Sequence, residues 1–320
     1  MDDVYEIAEN IYAIDNCLYS IPGLSSVYLI NEEKKALIDI GPTTSVNAVL
    51  DGIKKVGIRP GDVDYIIPTH IHLDHAGGTG ELVKSMPKAQ VIVHYRGAWH
   101  IANPEKLIKG AVEAHGYEFV KRRDGFPVPI EEKRVTPVHD GDELRLSESQ
   151  LLKFIDAPGH APHSLCIHES RGNGVFTSDS AGLYMPEYDV LVRSSPQPGF
   201  DAVQFVDTLK RLMEMNPSRI YFAHRGASSR VKEIAELAIK KLQIWSDMTT
   251  EAIRENKIDG LAERLVAEHC VELEPVRETR KDMYQFLSEV SIPTSAAGMV
   301  MYHLKKNEAE MEKRRSIEGN

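Results

Sequence analysis

Within six positions, His70, His72, Asp74 and His75 gather three imidazoles and a carboxylate, in the stretch Thr69-His70-Ile71-His72-Leu73-Asp74-His75-Ala76-Gly77-Gly78. Polar groups at that density are costly to bury unless something binds them. Imidazole and carboxylate together form a donor set for divalent cations. The spacing differs from the i, i+4 histidine pair that a helical zinc-protease motif turns to one face. It suits an irregular loop leaving a strand, with His70 and His72 pointing one way and Asp74 and His75 turning towards a neighbouring position. Gly77-Gly78 lets the backbone pass close before the next helix.

Three residues far along the chain extend the set. His160 lies in Ala157-Pro158-Gly159-His160-Ala161-Pro162-His163-Ser164, Asp179 in Phe176-Thr177-Ser178-Asp179-Ser180, and His224 directly after Ile220-Tyr221-Phe222-Ala223. Each sits just past the carboxyl end of an apolar run, where open α/β sheets place functional groups. Five histidines and two aspartates supply two nitrogen-rich sites, with one carboxylate left to bridge them.

The elements that must carry these residues are short strands alternating with helices. Val27 to Ile30, Ala36 to Asp39 and Tyr65 to Ile67 are apolar, β-branched runs closed by turn residues, and read as buried strands. Val46, Val49, Leu50 and Ile53 form a helical stripe between the last two, capped by Thr43-Thr44-Ser45 and closed by Gly57. Gly80 to Met86 reads as helix and Ala89 to His94 as strand. Further strands are expected at Leu151 to Ile155, Ser164 to His168, Gly174 to Phe176 and Arg219 to Ala223. Between them, Arg96 to Val135 holds a helix from Pro104 to Ala114, several aromatics and the basic run Lys121-Arg122-Arg123. A segment of that length between strands is a lid or an interface element. From about Ala227 the pattern is helical, with charge nearly balanced between 15 Lys and Arg and 17 Asp and Glu.

Composition bounds the rest. The chain has 320 residues, 42% apolar and 27% charged, enough for a real core. No apolar run approaches the ~20 residues of a membrane span, and the acidic start MDDVYEIAEN lacks a signal peptide's basic and apolar regions. The cytoplasm is therefore the expected compartment. Cys17, Cys166 and Cys270 are too few and scattered for a disulfide framework or a thiolate zinc site. A formal charge of −10 argues against nucleic-acid or membrane binding by bulk electrostatics. It does not exclude a phosphate substrate, because bound cations would reverse the local field.

The chain resembles the metallo-β-lactamase-fold hydrolases. Their HxHxDH signature stands as His70, His72, Asp74 and His75; the later single His, Asp and His match His160, Asp179 and His224; and Leu37-Ile38-Asp39-Ile40-Gly41 is similar to the family's second-strand motif. The resemblance covers roughly residues 10–226. It implies an α/β (α+β) fold, a four-layer αβ/βα sandwich, with a catalytic domain over 1–226, an insertion or lid at about 96–135 and a helical extension over 227–320. By the same resemblance His70, His72 and His160 hold one metal, Asp74, His75 and His224 hold the other, and Asp179 lies between them. The cofactors implied are two divalent ions, zinc first, with iron or manganese as alternatives.

The implied chemistry is that of a binuclear metal-dependent hydrolase acting on a small molecule through a metal-bridging hydroxide, formed because one zinc alone brings water from a pKa of ~15.7 to about 7. The target is an ester, lactone or thioester carbonyl. Asp74 has the catalytic task of orienting the nucleophile as well as ligating. Asp39 is expected to support a ligand histidine from behind. Tyr184, five residues after Asp179, is the expected donor to an oxyanion or leaving group. His163 is placed to contact substrate, and Arg225 to face an anionic one. The remaining histidines, His94, His100, His115, His139, His168, His269 and His303, read as surface or satisfied core residues.

The gaps of 19 residues from His160 to Asp179 and 45 from Asp179 to His224 are similar to those of acyl-homoserine-lactone lactonases, while thioester hydrolases of the glyoxalase II type share the ligand set. Ser178, where glycine is common, and Arg225, where the family has a second glycine, depart from the pattern. A phosphodiester or phosphotriester hydrolase is the alternative on the same metals. A di-iron redox protein is a more distant one, since that branch replaces the second histidine with glutamate and adds a flavin domain. A regulator reading Thr294 to Lys306 as a recognition helix suffers from the near-neutral tail. The insertion and the tail both offer faces for a homodimer.

Overall fold

Alternate residues of one strand reach two different cores. Along Ser26–Asn31, Val27 and Leu29 pack with the helix residues Val49 and Ile53, whereas Tyr28 and Ile30 pack with Phe154, Ile167 and Phe176 of a second sheet. A strand covered on both faces must be apolar on both, which is why these runs read as continuous rather than alternating. The computed structural model, which describes residues 3–195 and 199–318, lays two such sheets face to face.

The first sheet takes its strands in chain order: β1 (Val4–Ala8), β2 (Ile11–Asp15), β3 (Ser26–Asn31), β4 (Lys35–Ile38), β5 (Tyr65–Ile67), β6 (Gln90–His94) and β7 (Val135–Val138). Pairing is antiparallel from β1 to β4 and parallel from β4 to β7. The second contains β8 (Glu143–Arg145), β9 (Leu151–Asp156), β10 (Leu165–Glu169), β11 (Gly174–Phe176), β14 (Arg219–Tyr221) and β15 (Ala227–Ser228), in the order β15-β14-β11-β10-β9-β8. A separate hairpin joins β12 (Leu183–Met185) to β13 (Val190–Val192). Since β9 and β11 are both antiparallel to β10, and β14 is parallel to β11, the carboxyl ends of β9, β11 and β14 meet at one edge.

Helices α1 (Val46–Lys55), α2 (Leu73–Ala76) and α3 (Thr79–Ser85) belong to the first half, and α1 and α3 cover the outer face of the first sheet. The insertion between β6 and β7 forms α4 (Ala98–Ala102), α5 (Glu105–His115) and α6 (Tyr117–Arg123). Helices α7 (Ala202–Met215) and α8 (Val231–Arg254) cover the second sheet, completing the expected four-layer αβ/βα sandwich. Asp201 starts α7 by accepting from the amides of Val203 (2.9 Å) and Gln204 (3.0 Å), and left-handed Asn216 ends it. The tail continues as α9 (Leu261–Glu268), α10 (Cys270–Thr279), α11 (Lys281–Phe286), a π-helical turn over Leu287–Ser291, and α12 (Ile292–Glu318).

The tail shares its core with the second sheet. Ile155, Cys166, Val175 and Ile220 of that sheet bury against Phe205, Trp245, Leu273, Leu287 and Ile292, each contributing about 1.5–3 kcal/mol when fully sequestered. The boundary drawn after residue 226 falls inside the β14–β15 hairpin, whose second strand still pairs Ile220 with Ser228. Among the described residues no helix is long and apolar enough to cross a membrane.

Candidate metal centre

The chain leaves β5 at Ile67 and is pinned at Thr69 before it can wander. The Thr69 amide donates to Asp39 Oδ1 (2.9 Å), and its carbonyl accepts from the amide of Leu165 (2.8 Å), so the loop is tied to both sheets. The next residues turn into α2, whose short register carries Asp74 and His75 to a second position, as the spacing predicts. On the other sheet edge, Gly159 adopts φ +130° with its Cα against the α7 backbone at Phe205, and His160 follows directly. Asp179 lies in a 3-10 turn, Ser178–Ala181, just past β11. His224 follows β14 in a loop held by the first sheet: the Ala223 carbonyl accepts from the Ser26 amide (2.7 Å) and the Ser25 hydroxyl (3.1 Å).

These turns bring all seven side chains together. His72 Nδ1 lies 2.9 Å from His70 Nε2 and 3.0 Å from His160 Nε2. Three imidazole nitrogens around one tetrahedral zinc, with metal–nitrogen distances near 2.0–2.1 Å, stand about 3.3 Å apart. Asp74 Oδ2 is 3.6 Å from His75 Nε2 and 3.8 Å from His224 Nε2. Asp179 faces both groups: Oδ2 is 3.5 Å from His160 Nε2, and Oδ1 is 3.6 Å from His75 Nε2 and 3.4 Å from His224 Nε2. His70-His72-His160 and Asp74-His75-His224 each have donor atoms close enough together to hold a metal ion.

The electrostatics fit that use. Burial first, then neighbouring imidazoles, holds His70 far below its ordinary pKa and lowers His72 to about 3; burial lowers His160 to about 4. Neutral imidazole is the ligating form. Burial also works against a charged His75, but the Asp74, Asp179 and Asp39 carboxylates outweigh it and raise His75 to about 10. A dication at the same nitrogen would displace that proton. Burial opposes charge on Asp179 as well, yet His224, His160 and His75 hold it well below the usual carboxylate range. His75 Nε2 and Asp179 Oδ1 are buried with no hydrogen-bond partner, and they face one another. Buried orphan donors and acceptors are rare unless something absent from the protein satisfies them.

A layer of partners orients the inner groups. Asp39 Oδ2 lies 3.2 Å from His75 Nδ1, which leaves Nε2 directed at the centre. Ser178, in the left-handed region at φ 47°, places Oγ 3.2 Å from Asp39 Oδ2 and 2.7 Å from Thr69 Oγ1. Its hydroxyl thus serves a purpose a glycine could not. His160 Nδ1 lies 3.4 Å from the Ser194 carbonyl, and the Ser194 hydroxyl donates to Asp179 Oδ2 (2.9 Å).

The centre opens into a cavity of about 380 Å³ lined by three separate parts of the chain. Leu107, Ala111, Ala114 and Phe119 come from the insertion; Phe286, Val290, Thr294 and Ser295 come from the tail; Tyr19 comes from the turn after β2. His163 lines it, as expected. Three expectations need correction. Tyr184 does not reach the centre: on β12 its neighbour Leu183 faces the cavity, while Tyr184 packs on Phe222 and donates to Asp189 Oδ1 (2.8 Å). Arg225 does not face substrate, because its guanidinium pairs with both Glu187 oxygens (2.8 and 2.6 Å) and the Gly23 carbonyl. His100 and His115, read as surface or core residues, line the cavity wall. Sequence reasoning passed over Tyr19, Asp124, Ser194 and the tail residues of the wall. Only Arg123, within the basic run, had a visible signal.

The comparisons agree with this architecture. A family model described as the metallo-beta-lactamase superfamily matches residues 20–224. The metallo-beta-lactamase fold-containing protein ST1585 of Sulfurisphaera tokodaii is 28% identical over 268 residues, which span 82% of this chain and 94% of that one. An N-acyl homoserine lactonase of Bacillus thuringiensis is 27% identical over 187 residues, 57% of this chain and 63% of the lactonase. Among solved structures, a metallo-beta-lactamase family protein of Thermus thermophilus superposes with a TM-score of 0.63 at 21% identity, covering 85% of this chain and 95% of that one.

Proposed function

Since this chain belongs to the metallo-beta-lactamase superfamily, we propose that it is a dinuclear metal-dependent hydrolase of a small-molecule ester, lactone or thioester. The observation that carries the reading is Asp179, whose two oxygens face two different histidine groups within 3.4–3.6 Å. Two divalent ions, zinc first in our reading, would supply an acidified water and an electrophile for the carbonyl oxygen.

The chain's own side chains would do the rest. His70, His72 and His160 form one holding group, and Asp74, His75 and His224 the other. Asp74 is the more open of the two carboxylates, with 26% of its side chain exposed against 5% for Asp179. It is therefore the group to orient the attacking water and take its proton. The apolar walls from the insertion and the tail would seat the acyl part and exclude bulk water, strengthening electrostatic interactions at the carbonyl. That apolar lining, together with the likeness to a lactonase, favours a carbonyl over a phosphoryl target. The acidic chain, with a charge of −10, favours a small substrate over nucleic acid.

A lactone, a thioester and an aryl phosphate ester, compared by kcat/KM on zinc-loaded protein, test this. The carbonyl substrates should lead. Asp74→Asn should fold normally and lose about 10²–10⁴-fold in turnover. Preference for the phosphate ester, or full activity in Asp74→Asn at equal metal content, would overturn the reading.

A further inference from the structure

Arg123, the last residue of α6, is held by aromatic faces rather than by carboxylates. Its guanidinium carbon lies 3.6 Å from the ring centre of Tyr19, 4.5 Å from Phe119 and 5.6 Å from Phe286. The three rings come from the turn after β2, the insertion and the tail, and Tyr19 and Phe286 also pack on each other at 5.7 Å. Arg123 is half-buried and lines the same cavity as the candidate metal centre. Among the described residues, its guanidinium has no ion-pair partner and donates no hydrogen bond to protein. Arg225 and Arg280, by contrast, are clamped on Glu187 and Asp282, and Arg193, which also lies over an aromatic ring (Phe205, 4.0 Å), is fully buried and is not part of the cavity wall.

Aromatic faces fix a guanidinium in place without neutralising it and without occupying its in-plane N–H groups. Those N–H groups form a fork suited to two oxygens of one oxyanion. Lys106, on the same wall, lies over the Trp99 ring at 5.2 Å and likewise has no carboxylate partner among the described residues. The nearest opposing charge in sequence is Asp124. Burial first, then the Asp74 charge, pushes its carboxyl up to about 7, so near neutrality it is only partly ionised and offsets part of the local positive charge.

We propose that Arg123 binds an oxyanion, a carboxylate or a phosphate, carried by the substrate away from its scissile carbonyl. The proposal rests on the hydrolase reading for its substrate, and not for the anion site itself.

The test uses zinc-loaded full-length protein and aryl esters of one acyl chain ending in a methyl, a carboxylate or a phosphonate. Wild type should prefer one of the anionic ends, and which one distinguishes the two sources of the anion. In Arg123→Gln, that preference over the methyl end should fall by about ten- to a hundredfold, the usual effect of losing a charged hydrogen-bond pair. Arg123→Lys, which keeps the charge but not the fork, should fall less. Arg122→Gln, exposed on the same helix, should keep the preference. Calorimetric titration with adipate and with inorganic phosphate gives a second readout, and at least one should bind Arg123→Gln at least tenfold more weakly than wild type. If no ester is cleaved, the hydrolase reading fails while the titrations still decide the anion site. An unchanged preference and unchanged anion affinity in Arg123→Gln, or an equal loss in Arg122→Gln, overturn the proposal.

Discussion

Replacing Asp39 by Asn isolates one proton at the centre. Asp39 is buried at 4% exposure, at φ 48°, a left-handed conformation that Asn also tolerates. Its Oδ1 accepts from the Thr69 amide (2.9 Å), and an amide N–H can only donate. The Asn carbonyl must therefore stay on that side, and its NH₂ replaces Oδ2 beside His75 Nδ1 and Ser178 Oγ, both at 3.2 Å. Facing a donor, His75 Nδ1 becomes an acceptor, and the ring keeps a single proton on Nε2, the atom directed at Asp74 and Asp179. A metal ion at Nε2 would then have to reverse that tautomer and leave two donors facing each other. Losing one hydrogen bond to a charged group amounts to about 1.5–3 kcal/mol. That corresponds to about ten- to a hundredfold in affinity, the range seen for partners behind metal ligands. The His70-His72-His160 group has no direct contact with the altered oxygen, so zinc titration against a chromophoric chelator should show one weakened step and one preserved. Nitrogen-15 NMR of the metal-free variant near neutral pH should show His75 Nδ1 unprotonated, where the wild-type ring, raised to about 10, carries protons on both nitrogens. Two preserved steps, or two equally weakened ones, would refute the assignment of Asp39 to His75.

Gly159→Ala should be strongly destabilising: the new Cβ would stand 2.3 Å from Phe205 Cα and 2.4 Å from its nitrogen, at φ +130°. A loss of about 3–5 kcal/mol in chemical denaturation is expected, with zinc affinity falling because His160 is the next residue; a loss under about 1 kcal/mol would show that α7 yields easily. In the metal-free protein, the lowered pKa values of His72 and His160, to about 3 and about 4, give a stability contribution that is present above about pH 6.5 and is lost as pH falls through those values. His75, raised to about 10, contributes in the opposite sense, present below about pH 6.5 and lost as pH rises through its folded value. Melting temperatures of metal-free protein should therefore fall on both sides of neutrality, and a profile flat down to about pH 4 would contradict the neutral buried cluster.

Much of the frame was visible in the chain because buried strands in this fold are uninterrupted apolar runs. Val27 to Ile30, Tyr65 to Ile67 and Leu151 to Ile155 each lie within an observed strand, and the seven convergent side chains follow the ends of β5, β9, β11 and β14. The β1–β2 hairpin was not visible, because Val4–Ala8 is half-exposed and mixes Glu6 among its apolar residues. Tyr184 illustrates a parity limit: moving the start of a three-residue strand by one position exchanges which neighbour faces the cavity, and nothing in Leu183-Tyr184-Met185 sets that start. Arg225 was misplaced because its partner Glu187 is 38 residues away. Tyr19 left no trace, since its position depends on a left-handed turn through Cys17, Tyr19 and Ser20 rather than on a periodic pattern. The tail's part in the wall depends on how the π-helical turn at Leu287–Ser291 aims Phe286 and Val290, which spacing along a regular helix does not anticipate.

The cavity's division of labour has an evolutionary corollary. The side chains of the candidate metal centre hang from strand ends locked between two sheets, whereas much of the cavity wall belongs to two separate helical stretches, 105–123 and 281–295. Changes in those stretches leave the reactive atoms undisturbed. On the hydrolase reading proposed above, descendants of such a chain would change their diet by rewriting the helices while inheriting the same cutting tool.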